Sequence, residues 1–298
     1  MMTSVIRTAL FVPANRPERI PKALAAHADA VIVDLEDAVE HLGKDAARES
    51  LCDFLGTHAD ARVWVRINDA ATPWHEADLR ACRGRANVTG ILLPKAESLA
   101  QVRHVAQSGI PVIPIVETAQ GLIDVAEVAR TPGVARLAFG SLDYALDLGL
   151  SPDTDGADVV LDHARVQVLL HSRGAGLAQP LDGVFPGIQD TSGLRAAAMR
   201  ARDMGFGGML CIHPGQVPVI HEAFLPPLAE IDWARDVIRA AKENGLAAFK
   251  LDGKMVDAPV IARARRLLEL AGEGAAGGPA AGGPAAGAPA AGAPAAPR

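Results

Sequence analysis

PVIPIVETAQG, residues 111–121, and LAFGSLDYALDLG, residues 137–149, decide how this chain is read. In each, an apolar run of strand length stops at a carboxylate. Ile113, Ile115 and Val116 lead to Glu117, and Leu137, Ala138 and Phe139 lead through Gly140 to Asp143. An acid at the exit of a buried strand stands at a mouth: parallel α/β folds bind ligands at the carboxyl edge of their strands, and (β/α)8 barrels draw catalytic residues from several strand ends. Either acid alone would serve as an ordinary helix-starting residue. As a pair, with no histidine or cysteine beside them, they make a hard oxygen site. Mg²⁺ uses such sites, taking one or two protein carboxylates and completing its octahedron with water and substrate. The expectation is that Glu117 and Asp143 hold one Mg²⁺.

Outward from these two runs the chain repeats the same unit. Eight apolar, β-branched runs are candidate strands: 9–13, 30–36, 62–68, 89–95, 111–117, 134–140, 180–185 and 207–214. Between them lie stretches of helical period at 17–28, 44–56, 98–108, 121–130, 158–175 and 191–204, an alternation that marks βα units feeding a parallel sheet. Several runs are apolar throughout, as strands covered on both faces must be. An open doubly wound sheet is the competing architecture, but it would be announced by a glycine-rich phosphate turn after an early strand, and no G-x-G-x-x-G stands there. The fold class expected is α/β, a (β/α)8 TIM barrel over residues 1–225. A small C-terminal helical lid segment over 226–270 follows: helix to residue 250 with a break at Pro226 and Pro227, a loop at 250–259 and a last helix from Pro259 to about Leu270. Residues 271–298 are almost wholly Gly, Ala and Pro. Nothing there can be buried against the entropy of ordering, so this tail is expected to be disordered.

Composition narrows the function classes. A chain of 298 residues, 49% hydrophobic, suffices for one large core. A net charge of −6 argues against nucleic acid as a partner, since grip on a phosphate backbone rests on clustered Lys and Arg. Cys52, Cys82 and Cys211 are odd in number and far apart, and read as reduced packing residues. Arg7 and Pro13 break the first apolar run, and no run reaches the ~20 residues that span a bilayer. The protein is expected to be cytoplasmic and free of membranes.

The strand ends carry the chemistry. Strand two delivers Asp34, Glu36 and Asp37; strand three Arg66 and Asn68; strand four Lys95 and Glu97; strands five, six and eight Glu117, Asp143 and His213. Arg66, in a run too apolar for a surface strand, can grip a carboxylate or enolate bidentately while staying charged, or can pair internally with Asp34 or Glu36. Asp34, Glu36 and Asp37 are too many to contact one ion; Glu36 and Asp37 are assigned mainly to orienting Arg66 and metal-bound water. Lys95 admits Schiff-base chemistry, although a metal pair and a lysine nucleophile answer the same electrophile problem. His213 reads as a satisfied strand-end histidine, and Ser141 as a loop or capping residue, since G-x-S-x-G is absent.

FVPANRPERIPKAL (11–24), VIVDLEDAV (31–39), VRIN (65–68), LPKAES (93–98), IVETAQG (115–121), FGSLDYALDLG (139–149) and GMLCIHPGQ (208–216) occur in an order and spacing that resemble the citrate lyase β-subunit and malyl-CoA lyase family of the HpcH/HpaI aldolase superfamily, over roughly residues 6–225. The resemblance implies a Mg²⁺-dependent barrel that makes or breaks a carbon–carbon bond between an acyl-CoA enolate and a 2-oxo acid. It implies metal ligation by Glu117 and Asp143 and substrate contact by Arg66. Phe11, Arg16 and Lys22 match CoA-contacting residues, and Ile212 and His213 a further substrate-contacting pair. GKMVD (253–257) is similar to the lid loop of the malyl- and citramalyl-CoA lyases, in which Asp257 would reach a neighbouring subunit's site as acid/base, with Glu36 or Asp37 as substitutes. The partners implied are an acyl-CoA thioester and a 2-oxo acid, in a homotrimer or homohexamer. The competing activities are a CoA-independent pyruvate-type aldolase and a partner-dependent citrate lyase β subunit.

Overall fold

Alternation along each apolar run decides which side chains face the barrel axis. The computed structural model, which describes residues 5–245 and 248–273, has one strand on each of the eight runs, the first and fourth beginning one residue earlier than expected: β1 (Thr8–Pro13), β2 (Ala30–Asp34), β3 (Val63–Arg66), β4 (Val88–Leu93), β5 (Val112–Val116), β6 (Ala138–Phe139), β7 (Leu181–Asp182) and β8 (Gly208–Cys211). Each pairs in parallel with the next, and β8 pairs back onto β1 through Thr8↔Met209 and Ala9↔Leu210, closing the barrel.

Residues of opposite parity fall into separate clusters, as the period of two requires. Ala9, Ile32, Leu92, Ile113, Ile115, Ala138, Leu181 and Leu210, with Phe11 and Trp64, fill the lumen. Leu10, Val31, Val33, Val65, Ile91 and Val116 pack outward with helix residues such as Leu51, Val102 and Ile220. The lumen is filled by matching large to small. Trp64 lies beside Gly90 in register, and a Cβ on Gly90 would fall 2.0 Å from the indole Cζ3. Continuing the inward parity to the carboxyl rim takes Ile32 to Asp34, Trp64 to Arg66 and Ile115 to Glu117.

The surrounding helices largely follow the expected stretches: Lys44–Thr57, Leu99–Ala106, Asp155–Gly174 and Thr191–Met204. The first is shorter than its pattern. A 3₁₀ turn, Pro17–Arg19, leads into Ile20–Leu24, and His27 at φ 58° lies beyond its end. The stretch at 121–130 starts two residues early, because Thr118 caps the N–H of Gly121, and it is divided at Asp124. Helices His75–Cys82 and Ser141–Asp147 were not expected. Both are short and charged, and too few turns are present for a periodic signal. Among the described residues, no helix is long and apolar enough to cross a membrane.

The chain divides into two compact units, the second beginning at Leu225. Within the second, helix Leu228–Asn244 ends at Gly245 in the left-handed conformation, the usual glycine stop. The segment expected as a loop is instead a β-hairpin, β9 (Phe249–Leu251) and β10 (Lys254–Val256). Its turn is Asp252-Gly253, both with positive φ (48° and 76°), the dipeptide that a two-residue turn matching strand twist demands. Helix Ala258–Leu270 follows, and Ala234, Val237, Val256 and Ala264 form the core of this unit. Ala271 caps that helix and Glu273 pairs with Arg235, so the first three residues of the expected tail are ordered. The rest of that expectation, from residue 274, lies outside the described residues.

Candidate active site

At the ends of β2 and β3 the register pairs Asp34 with Arg66. Arg66 Nε donates to Asp34 Oδ1 at 2.7 Å and Nη2 to Oδ2 at 2.6 Å, a two-pronged grip. Nη1 donates to Asp37 Oδ2 at 3.2 Å and lies 2.9 Å from Glu36 Oε2 in an ion pair without hydrogen-bond alignment. The Phe11 ring lies beneath the guanidinium, 4.6 Å away. Burial alone would weaken the proton affinity of Arg66; the charge and hydrogen bonds of Asp34, with Glu36 and Asp37, raise it instead. Asp34 is 1% exposed, and its oxygens also accept the N–H groups of Glu36 and Ala38. Internal pairing and an aimed cation therefore coexist, and Asp34 carries the larger share of orienting Arg66.

Glu117, at the exit of β5, has far less support. Its Oε1 accepts the Lys95 N–H at 2.8 Å. Burial, then the negative charge of Glu36 and of Asp143, pushes its pKa up to about 8. Lys95 takes a left-handed conformation (φ 45°), costly for a residue with a Cβ, and this turns its N–H onto Glu117. Gly140 makes room from the other side, since a Cβ there would sit 2.4 Å from Glu117 Oε2. Asp143, in the first turn of Ser141–Asp147, is also raised, first by burial and then by Asp37. A buried and a half-buried carboxylate, both with raised pKa and Asp143 adding to the rise at Glu117, have the donor set and the charge deficit of a hard-cation site, so the residues fit Mg²⁺.

The Lys95 ammonium donates to Glu36 Oε1 at 2.7 Å. Burial opposes its charge, but Glu36 outweighs burial and raises the pKa. A lysine held protonated is not a Schiff-base nucleophile. Glu36 itself is raised by burial, with Asp37 adding to the effect. Lys44, not among the expected site residues, donates from Nζ to the carbonyls of Leu35 (3.0 Å) and Glu36 (2.7 Å), fixing the loop that presents the three acids. Its signal was a cation opening a helix, against the helix dipole.

These groups surround a cavity of about 360 Å³ whose lining includes Phe11, Asp34, Asp37, Arg66, Glu117 and Asp143. Leu142, Val184 and Ile212 add an apolar side, and Gly140 and Ser141 also border it. Glu36 reaches the site through Arg66 and Lys95. Arg16 and Lys22 are exposed on the segment after β1 and do not line the cavity; Arg16 Nε donates to Glu18 at 2.7 Å. His213 is exposed, and its Nδ1 accepts from the Gly215 N–H. The buried Gln216 shapes this strand exit, accepting from Ile212 N and donating to Phe185 O. Asn68 turns away to Asp78. Asp257 belongs to the second unit, where its carboxylate accepts from Val260 N at 3.3 Å as the N-cap of Ala258–Leu270.

Comparison with known proteins gives the family. A citrate lyase subunit beta-like protein of Mycobacterium tuberculosis is 42% identical over 268 residues, covering 89% of this chain and 95% of that protein. A (3S)-malyl-CoA thioesterase of Cereibacter sphaeroides is 36% identical over 272 residues, 89% of this chain and 94% of the relative. The crystal structure of CitE from M. tuberculosis in complex with magnesium, acetoacetate and coenzyme A superposes with a TM-score of 0.80 at 40% identity, over 91% of this chain and 99% of that one. Residues 7–214 match the family described as HpcH/HpaI aldolase/citrate lyase, and the chain, a closed parallel barrel with this rim, belongs to that lyase family.

Proposed function

We propose that the protein is a Mg²⁺-dependent carbon–carbon lyase that cleaves, or forms, a 3-hydroxy-3-carboxyacyl-CoA such as citramalyl-, malyl- or citryl-CoA, yielding acetyl-CoA and a 2-oxo acid. The observation that carries this reading is the shared cavity of Glu117, Asp143 and the anchored Arg66. About 360 Å³ accommodates the oxo-acid and acyl carbons, while the long CoA arm extends outside, toward the first βα segment that bears Arg16 and Lys22. Glu117 and Asp143 would hold the ion. Bound there, Mg²⁺ supplies a Lewis acid for the oxygens of the 2-oxo acid.

In the cleavage direction the hydroxyl proton passes to a carboxylate base or to water as the carbon–carbon bond breaks. The electron pair passes into the thioester enolate, and a proton then reaches the enolate carbon. Arg66, locked by Asp34 with its charge assured, stabilises the developing enolate without reorganising. Asp257 of a neighbouring copy, in a homotrimer or homohexamer, is the assigned proton donor. Of its substitutes Asp37 is better placed than Glu36, because both Glu36 oxygens already face cations. The relative named as a malyl-CoA thioesterase supports a second reading, in which the thioester is hydrolysed.

The test is a retro-aldol assay of the purified protein with citramalyl-, malyl- and citryl-CoA in turn, with Mg²⁺ or EDTA. Acetyl-CoA, free CoA and the 2-oxo acid are followed separately. Mg²⁺-dependent release of acetyl-CoA is expected, falling roughly 10³-fold in Glu117→Gln and in Asp143→Asn. Free CoA without acetyl-CoA would identify the thioesterase reading, and full activity in EDTA would overturn the metal assignment.

A further inference from the structure

A second group of ligand-capable side chains lies away from the cavity. His75 and Glu76 open helix His75–Cys82, and His104 lies near the end of helix Leu99–Ala106. Their ligand-capable atoms all fall within 4.8 Å of one another, and among the described residues no other group of three or more His, Cys, Asp or Glu does so. His75 is 4% exposed, and its Nδ1 lies 2.9 Å from the Asn68 carbonyl. A carbonyl only accepts, so Nδ1 carries the proton and Nε2 the lone pair. That Nε2 is buried and has no hydrogen-bond partner in the protein. Metal-binding imidazoles are commonly prepared in this way, one nitrogen held by a carbonyl and the other left to bind.

We propose that His75, Glu76 and His104 form a further metal site for a transition-metal dication of the Zn²⁺ class, pinning two helices to the segment that follows β3. Two imidazoles and one carboxylate are the donor set of Zn²⁺ or Co²⁺ and not of Mg²⁺. Bond lengths of about 2.0–2.2 Å would set ligand atoms roughly 3.3 Å apart around a tetrahedral ion. His104 Nε2 and Glu76 Oε1 are 2.6 Å apart, so they must open slightly to admit it. Both side chains are about half exposed, at 44% and 52%, and free to do so, while His75 is the fixed point. Three protein ligands leave one position for water. None of the three residues lines the cavity of Glu117 and Asp143. The link to the barrel is nevertheless short: Asn68, which holds His75, stands two residues after Arg66, and its amide groups are anchored on Asp78 of the same helix as His75.

The test uses the full chain, stripped with EDTA and returned to millimolar Mg²⁺ so that the carboxylate site is occupied. Co²⁺ is titrated while its visible d–d absorption is followed, with Zn²⁺ as competitor and thermal unfolding as a second readout. One Co²⁺ per chain with tetrahedral absorption, displaced by Zn²⁺, and a rise in Tm with Zn²⁺ are expected. The affinity should drop at least ~10-fold in His104→Ala and in Glu76→Ala, whose exposed side chains can be truncated without opening the core. Glu117→Gln should keep the Co²⁺ signal, which separates this site from the proposed catalytic one. Equal Co²⁺ binding by wild type, His104→Ala and Glu76→Ala, or no Co²⁺ binding by the wild type, would overturn the assignment.

Discussion

Two carboxylates face the lumen at strand exits and are treated in opposite ways. Asp34, at the end of β2, is saturated: two guanidinium N–H groups and two backbone N–H groups meet its two oxygens. Glu117, after β5, receives one backbone N–H, sits in the field of Glu36 and Asp143, and its pKa is pushed up to about 8. Both are buried, so burial does not distinguish them. The protein supplies a paired countercharge for Asp34 and no ion pair for Glu117, the acid proposed to take a cation from outside. The lesson is that a buried acid reports a binding site through its missing partners more than through its location.

The strongest way to break the comparison is Asp34→Asn. Removing one partner of a buried pair leaves Arg66 uncompensated, and unfolding by denaturant should register a loss of about 3–5 kcal/mol. A loss under about 1 kcal/mol would mean that Glu36 and Asp37 can take over, and that Asp34 is not the anchor.

Glu117 should behave in the reverse sense. Its folded pKa lies above the ordinary carboxylate value, so the protonated folded state is favoured. Its contribution is fully present below about pH 4.5 and is lost as the pH rises toward about 8. Metal-free protein should therefore lose a few kcal/mol of stability across that window. Glu117→Gln should flatten the Tm profile, and Mg²⁺ should restore the wild type at the alkaline end. An unchanged slope in Glu117→Gln would remove Glu117 from the account.

Asp257 sharpens the contrast as a carboxylate with a local task, capping a helix. Asparagine also caps well, so Asp257→Asn should alter stability by less than about 1 kcal/mol. If Asp257 supplies the proton, turnover should nevertheless drop by roughly 10²-fold or more. Retained turnover in a folded Asp257→Asn protein would transfer the role to Asp37.

Much of this was legible before any coordinates. The eight apolar runs gave eight strands because a strand covered on both faces must be apolar throughout, and β-branched runs punctuated by turns carry that signal locally. Glu117, Asp143 and Arg66 could be singled out because a charge terminating such a run is chemically out of place. The hairpin at Asp252-Gly253 is signalled in the chain only by its turn dipeptide, because its strands are three residues each and too short for an alternating pattern. Helices His75–Cys82 and Ser141–Asp147 had no comparable local signal.

What tertiary structure alone decided is who partners whom. Spacing along the chain names candidates for Arg66 but cannot rank Asp34 above Glu36, because the ranking depends on register between β2 and β3. Nothing local marks Gly140 as the residue that leaves room for the Glu117 carboxylate, and a cation opening a helix at Lys44 does not name the carbonyls of the acidic loop that it clamps. His75 and His104, on different helices, become a cluster only when those helices come together. The sequence alone determined the barrel and the charges at its rim, since strand pattern and charge are properties of neighbours in the chain. Compensation of those charges is a property of neighbours in space, and it separates Asp34, paired with Arg66, from Glu117, the proposed metal ligand.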